Sequence, residues 1–218
     1  MKRCWTAVIA ASALLAAASH AARAEDAKEQ SKPNNEFANK LYAADVTKQK
    51  KTYACFVRQY DSAHLAKHPH QKVSAMKILV TAEQVPEDES TNHSFSLGLK
   101  FRQRAGNFES FGSCSHAKPS EDENGKENLR CSVDCDGGGI NVELSSDAKA
   151  ILVKVDSVRI WNSKKPDDDT ADSLNGGADD RVFRLDRASL EVCKSLVTDR
   201  QELAEMLAQV KKQVHAAK

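Results

Sequence analysis

Alternating apolar and polar residues dominate the middle of the chain. Across 93–102 the odd positions from Phe95 onward are apolar and most even positions are polar or small. This period of two predicts a β-strand with one buried and one solvated face, as in antiparallel sheets. The same pattern recurs at 140–144 and at 151–160. In the last segment the apolar positions change parity after Val155, which predicts a β-bulge near residues 156–157.

Five further segments show the same alternation less strictly, and we predict that they are strands too: 52–60, 73–82, 107–114, 129–134 and 181–185. Eight short strands with polar connections and no long helix between them predict a mainly β domain over residues 51–186. We expect a single antiparallel eight-stranded barrel, with a two-sheet sandwich as the alternative. A barrel is preferred because closure leaves no exposed strand edges.

The N-terminal segment has the features of an export signal. A short basic head, Met1–Arg3, precedes an Ala- and Leu-rich run, and the small residues of Ala22-Arg23-Ala24 follow it. We therefore predict a signal peptide over residues 1–24, cleaved after Ala24. The apolar run is too short to span a membrane, and no later segment approaches the ~18 apolar residues required. The expected product is a soluble periplasmic protein without membrane insertion.

The two ends of the processed chain flank the β domain. Residues 25–50 are polar apart from one apolar cluster, so we predict an N-terminal tail with too little apolar surface to become ordered. Residues 187–218 are predicted to form C-terminal helices that pack on the β domain. The longer helix should begin with a capping box from Thr198 to Gln201. Its apolar face contains Leu203, Leu207, Val210 and Val214.

Charge narrows the classes of partner. The chain has 32 Lys and Arg residues against 31 Asp and Glu residues, and the predicted signal contains three of the basic residues and none of the acidic ones. The remaining chain therefore has a small negative charge and lacks the general excess of basic residues that nucleic acid requires. We expect no nucleic-acid binding. The expected partner is a protein or a small envelope ligand, bound by a monomer.

Five cysteines remain after the predicted cleavage: Cys55, Cys114, Cys131, Cys135 and Cys193. In an exported protein pairing is the default, and an odd number leaves one free thiol. Cys114 and Cys131 flank a polar loop at a predicted hairpin, which predicts a disulfide between them. For the second bridge we prefer Cys135–Cys193, with Cys55 as a buried free thiol. The nearest alternative exchanges Cys55 and Cys135.

Three histidines form a candidate metal site with the spacing His-x3-His-Pro-His. His64 and His68 would share one face of a helix and could bind copper or zinc, with His70 close by. Pro69 weakens this hypothesis, because the residue before a proline avoids the helical conformation. The alternative is a polar connection that happens to be rich in histidine, and we favour it.

An oxygen-rich turn is a second candidate metal site. Asp134 and Asp136 precede and follow Cys135, three glycines come next, and the acidic segment 167–180 could add ligands for calcium. Asp and Gly are also common turn formers, and we favour that interpretation.

The same region of the chain offers a set of soft ligands. Cys114-x-His116 and Cys131-x3-Cys135 together have the ligand number that tetrahedral zinc requires. The spacing is not that of a standard zinc module, and an oxidising compartment favours disulfides instead.

Signatures of catalysis are weak in this chain. It has no Gly-x-Ser-x-Gly elbow, and residues 137–139 precede a predicted strand instead of opening a helix, as a phosphate-binding loop would. We therefore predict a non-catalytic binding or interaction module on a disulfide-stapled β scaffold, without a cofactor other than a possible metal. A periplasmic metal-binding protein is the alternative. An enzyme-inhibitor module or an unrecognised hydrolase ranks below both.

Overall fold

The computed structural model describes residues 35–87, 90–122, 125–165 and 171–216, with side chains up to residue 210. The predicted signal peptide and the rest of the chain before residue 35 lie outside this part. The strands are β1 (Lys51–Gln59), β2 (Val73–Val85), β3 (Ser90–Phe101), β4 (Phe108–Ala117), β5 (Asn128–Ser132), β6 (Gly138–Leu144), β7 (Ala150–Asn162), β8 (Asp172–Asn175) and β9 (Val182–Ala188). The α-helices are α1 (Glu36–Tyr42), α2 (Ser62–Lys67) and α3 (Arg200–Ala216). The 3₁₀ helices are Val46–Lys48, Pro119–Glu121 and Leu190–Leu196.

All the strands within the described residues belong to one antiparallel sheet that closes on itself. Strands β1 to β7 follow one another around the ring, and β9 lies between β7 and β1. The predicted antiparallel barrel is therefore confirmed. Strand β8 is an addition that pairs with β7 at residues 157–160. It lies in the acidic segment 167–180, where a four-residue strand with one apolar side chain shows too little alternation to be recognised.

The predicted bulge in β7 is confirmed. Gly139 of β6 pairs with Ser157. The next residue, Ile140, pairs with Val155, so Asp156 has no partner across the ladder. The extra residue restores the inward direction of the apolar side chains on both sides of the bulge, which is why the parity of the pattern changes there.

Helix α1 corrects the prediction that residues 25–50 form a polar tail. Its side chains Phe37, Leu41 and Tyr42 are at most 5% exposed and belong to the core cluster inside the barrel. Arg187 of β9 donates hydrogen bonds of 3.0 Å to two carbonyl oxygens at the end of α1. Three large side chains bury enough apolar area to order two helical turns when a barrel interior is available to receive them.

A second apolar cluster lies on the outer face of β1 and β2. Tyr53, Cys55 and Leu79 point away from the barrel interior and pack against the 3₁₀ helix Leu190–Leu196 and against Met206 of α3. Met206 is fully buried. The C-terminal segment therefore covers these two strands, and the sheet is buried on both faces there.

The N-terminal cap of α3 differs by one residue from the predicted capping box. The Asp199 side chain accepts a hydrogen bond of 2.7 Å from the backbone N–H of Glu202, so Asp199 takes the place expected for Thr198. Aspartate is among the strongest N-cap residues. The buried centre of the apolar face is Met206, and the side chain of Val214 lies outside the described part.

Two disulfides join cysteines of the part of the chain that the structure describes. Cys114–Cys131 is the bond predicted from the sequence, and it joins directly opposed residues of β4 and β5. The other bond, Cys55–Cys193, corrects the preferred pairing, which joined Cys193 to Cys135 and left Cys55 free. Cys55 lies on the outer face of β1, where the 3₁₀ helix brings Cys193 against it. Cys135 is a free, exposed thiol in the turn between β5 and β6.

Two histidines lie at the end of the barrel that α1 covers. His93 of β3 is 9% exposed, and its Nδ1 lies 3.0 Å from the hydroxyl oxygen of Tyr42. His116 of β4 stacks on the ring of Phe37 and lies 2.9 Å from a carboxylate oxygen of Glu127. Burial lowers the pKa of His93 to about 4, and the nearby His116 adds to the shift. His93 is therefore neutral at neutral pH.

We predict that the two disulfides contribute unequally to stability. Cys55–Cys193 closes a loop with a sequence separation of 138, against 17 for Cys114–Cys131. Since a longer loop removes more entropy from the unfolded chain, replacing both cysteines of the long loop by Ala should lower the free energy of unfolding by about 5 kcal/mol, against about 3 kcal/mol for the short one. Urea unfolding measures both. Cys135→Ala is the control and should leave the urea midpoint of unfolding unchanged. The prediction would be contradicted if the two double variants lowered the free energy of unfolding by the same amount.

We also predict a loss of stability on acidification that depends on His93. Between the unfolded-state pKa of about 6.5 and the folded pKa of about 4, the unfolded chain binds a proton that the folded protein does not. Lowering the pH through this window should therefore reduce the free energy of unfolding, by on the order of 3 kcal/mol when the window has been crossed. Urea unfolding at pH 7.5 and pH 4.5 measures the difference.

The matched variants for this measurement are His93→Gln and His70→Gln. The first removes the buried titrating group and should make the pH dependence shallower, while the second removes an exposed histidine and should leave it unchanged. An equal pH dependence in His93→Gln and the unmodified protein would show that another group is responsible.

Candidate functional site

A groove crosses the outer face of β3 and β4, beside the part of the sheet that the C-terminal segment covers. We call it the β3–β4 groove. It has a volume of about 600 Å³, and it is bounded by the segment 196–198 on one side and by Phe111 on the other. Ser94, Ser96 and Ser113 lie on its floor.

The floor is low because the outward side chains of β3 are small. The inward residues of this strand are large and buried, whereas Ser94, Ser96 and Gly98 occupy the outward positions. At Gly98 an added Cβ would lie only 2.9 Å from a methyl group of Leu196. Glycine therefore lets Leu196 approach the sheet closely, and the serines beyond it leave the space that forms the groove.

The C-terminal segment supplies one wall of the groove. Leu196, Val197 and Thr198 line it at the point where the chain passes from the 3₁₀ helix to α3. The disulfide of Cys193, three residues before Leu196, holds this wall against β1. The wall is therefore fixed by a covalent bond as well as by packing.

Phe111, which stacks on Trp161, forms the opposite wall. Phe111 of β4 is 60% exposed, and its ring stacks on that of Trp161 with a centroid distance of 5.3 Å and an angle of 23°. Glu109 of β4 pairs with Trp161 of β7, and Phe111 is two residues further on the same face, which brings the two rings together. An exposed aromatic side chain beside a groove is typical of a surface that binds a partner.

The charged groups that line the β3–β4 groove are acidic. They are Glu109, Asp134 and Glu202, and no Lys, Arg or His is among the described residues that line it. Glu202 lies 3.4 Å from the ammonium group of Lys51 and is partly neutralised. Partial burial raises the pKa of Glu109, although the charge of Lys77 opposes this effect.

The three predicted metal-binding histidines are not brought into one ligand set. His64 and His68 of the α2 region stack with a centroid distance of 4.4 Å, and His64 Nε2 lies 3.0 Å from the side-chain oxygen of Gln71. The backbone N–H of His70 donates to Asp179. Among the residues that the structure describes, no three His, Cys, Asp or Glu side chains form a group that could hold a metal ion.

The predicted calcium ligands also belong to no group of three acidic or other metal-binding side chains among the described residues. Asp134 lines the β3–β4 groove, whereas Asp136 has a positive φ of 58° in the turn after Cys135. In the acidic segment 167–180, Asp180 is fully buried and accepts hydrogen bonds from the backbone N–H groups of residues 72 and 73. Residues 166–170 lie outside the described part. The buried carboxylate of Asp180 therefore satisfies backbone N–H groups at the start of β2.

The soft-ligand hypothesis for zinc is contradicted by the disulfide pairing. Cys114 and Cys131 are bonded to each other, so their thiolates are not available as ligands. The imidazole of His116 lies against Glu127 instead.

Asp134 is the one described residue of the β3–β4 groove that the sequence also predicts as part of a site. Phe111 lies in the predicted strand 107–114 at the opposite parity from the inward Phe108, so its outward direction could have been read from the pattern. Trp161 follows Ile160 at the end of β7 and has the same outward parity. The C-terminal wall could not be found in this way, because no local pattern indicates which strands the 3₁₀ helix will cover.

Comparison with protein-family models, with curated proteins and with solved structures found no match to this chain. Within the described residues, none of the helices has the length and apolar character needed to cross a membrane.

Proposed function

We propose that this chain is an exported, non-catalytic binding protein that captures a protein partner in the β3–β4 groove. The proposed location is an oxidising compartment, the bacterial periplasm. The observation that supports binding most directly is the exposed stack of Phe111 on Trp161 at the edge of the groove.

Phe111 offers exposed apolar area to a partner. Covering a fully exposed phenylalanine side chain contributes about 1.5–3 kcal/mol through the hydrophobic effect. With 60% exposure, Phe111 retains much of this contribution for a partner, and Trp161 supports the ring from behind. Aromatic side chains in well-packed pockets are typical of the few residues that dominate the affinity of an interface.

The scaffold favours binding because the groove exists before a partner arrives. One wall is tied to β1 through Cys193, and the other belongs to a strand that pairs on both sides. A preformed site avoids the entropy cost of ordering loops during association. The groove offers apolar area, aromatic faces, hydroxyl groups and carboxylates, which are groups suited to non-covalent binding of a partner.

Export is supported by two features. The disulfides Cys55–Cys193 and Cys114–Cys131 are compatible with an oxidising compartment. The sequence of residues 1–24 predicts a cleaved signal. Expression of the full chain in a Gram-negative host should give a periplasmic product whose N-terminal residue is Glu25, as measured by intact mass. An uncleaved chain that remains in the cytoplasm with reduced cysteines would contradict this part of the proposal.

Phe111→Ser should weaken binding at the groove without unfolding the protein. We would select peptides from a random display library on the immobilised mature protein and measure their affinities for the variants. Peptides selected on the unmodified protein should bind Phe111→Ser at least about tenfold more weakly, since loss of a central aromatic contact costs more than 1.4 kcal/mol.

The matched control is Val182→Ser. Val182 is an apolar residue of β9 with 49% exposure, so the variant removes exposed apolar area outside the groove and should leave the affinities unchanged. If no peptide is enriched, or if the enriched peptides bind Phe111→Ser as well as the unmodified protein, the proposed function of the groove is wrong.

A further inference from the structure

The charges that line the β3–β4 groove differ from those of the chain as a whole. Basic and acidic residues are almost equal in number in the full sequence. In the groove, however, the charged side chains are Glu109, Asp134 and Glu202, and the described lining residues include no basic group. An occupant with a positive charge would therefore be favoured there over one with a negative charge.

Glu109 is the carboxylate best placed to select such an occupant. It lies two residues from Phe111 on the same outward face of β4, and it is partly buried. Its carboxylate forms no hydrogen bond or ion pair within the described part of the chain, while Glu202 already has Lys51 as a partner at 3.4 Å. The charge of Lys77 acts on Glu109, but the Lys77 ammonium group donates to the hydroxyl group of Ser195, so the Glu109 carboxylate has no direct donor. A partly desolvated carboxylate without a direct donor is stabilised when a cationic donor approaches it.

The aromatic wall adds to the same preference. The face of an aromatic ring attracts cations, and guanidinium groups also stack on aromatic rings. Phe111 is exposed, and Trp161 supports the stack. A guanidinium or ammonium group beside Glu109 could therefore contact a carboxylate and an aromatic ring together.

The adjoining recess has the opposite charge. It has a volume of about 500 Å³, it shares Leu196 and Glu109 with the groove, and Lys77 and Lys100 line it. The ammonium group of Lys77 is turned towards the hydroxyl group of Ser195. A cation is therefore favoured at the Phe111 end of this face and disfavoured at the Lys100 end.

The shape of the floor indicates an extended segment of polypeptide. From Ser94 to Lys100, strand β3 runs for roughly 20 Å, which is the length of about six extended residues. Both edges of β3 are already paired, with β2 and with β4. A bound segment therefore has no free strand edge to join, and its side chains must provide the recognition.

We propose that the occupant of the β3–β4 groove is an extended segment of another protein that places an arginine or lysine against Glu109 and Phe111; this inference rests on the proposed function of the groove. The apolar side chains next to this basic residue contact Leu196 and Val197. The basic side chain occupies the end of the groove at Glu109 and Phe111. The small serine side chains of the floor leave room for a side chain as long as arginine or lysine.

Two synthetic peptides test the inference. In the first, leucine alternates with arginine over eight residues; in the second, each arginine is replaced by citrulline, which has nearly the same shape and no charge. Both are acetylated, amidated and labelled for fluorescence anisotropy with the mature protein. The arginine peptide should bind at least about tenfold more tightly, and the preference should shrink between 50 and 500 mM salt.

Three variants show which residues cause the preference for the arginine peptide over the citrulline peptide. Glu109→Gln should remove most of the difference between the peptides, whereas Phe111→Ser should weaken both. Asp156→Asn is the control, because it neutralises an exposed carboxylate of β7 outside the groove and should change neither affinity.

The outcomes separate this inference from the proposed function. If both peptides bind equally well and through Phe111, the charge preference is wrong and the groove remains a binding site. If the arginine peptide fails to bind while the display library yields Phe111-dependent sequences without Lys or Arg, the inference is again overturned. Binding that is indifferent to Phe111→Ser would overturn both.

Discussion

Closure of the barrel between β1 and β9 is the constraint on which the rest of this structure depends. This seam contains only three paired positions, fewer than the other junctions around the ring from β1 to β7. Without it, two strand edges would be exposed to unwanted pairing. Cys55 in the seam is bonded to Cys193 on the outside, and Arg187 lies over the ring of Phe56 at 4.6 Å. Covalent and cation–π contacts thus strengthen the junction around the ring that has the fewest paired positions.

The same disulfide that reinforces the seam also shapes the candidate site. Because Cys193 is tied to Cys55, the chain that leaves β9 must cross the outer face of β1 and β2. This path brings Leu196 over Gly98 and fixes one wall of the β3–β4 groove. The stability of the barrel and the form of the groove therefore share one cause, and a chain with the bond removed should lose order in both places.

The sequence predicts the barrel well because alternation reports directly which side chains point inward. The strands from β1 to β7, the bulge at Asp156 and the Cys114–Cys131 bond all follow from local patterns or from residues that face each other across one hairpin. The failures involve partners far away in the chain. Helix α1 is ordered only because a barrel end receives Phe37, and Cys55 finds Cys193 across 138 residues of sequence.

The candidate site is less predictable for the same physical reason. Its walls come from distant parts of the chain, represented by Phe111 and Leu196, and a third part supplies Trp161, which stacks on Phe111. Alternation says nothing about what covers an outward face. Parity alone places Phe111 outward, but a neighbouring helix could still have buried it. The helix packs elsewhere, because Met206 of α3 finds its apolar contacts over Tyr53 and Leu79. Phe111 is therefore left exposed by the path of the C-terminal segment, and this path is what turns an outward aromatic residue into one wall of a groove.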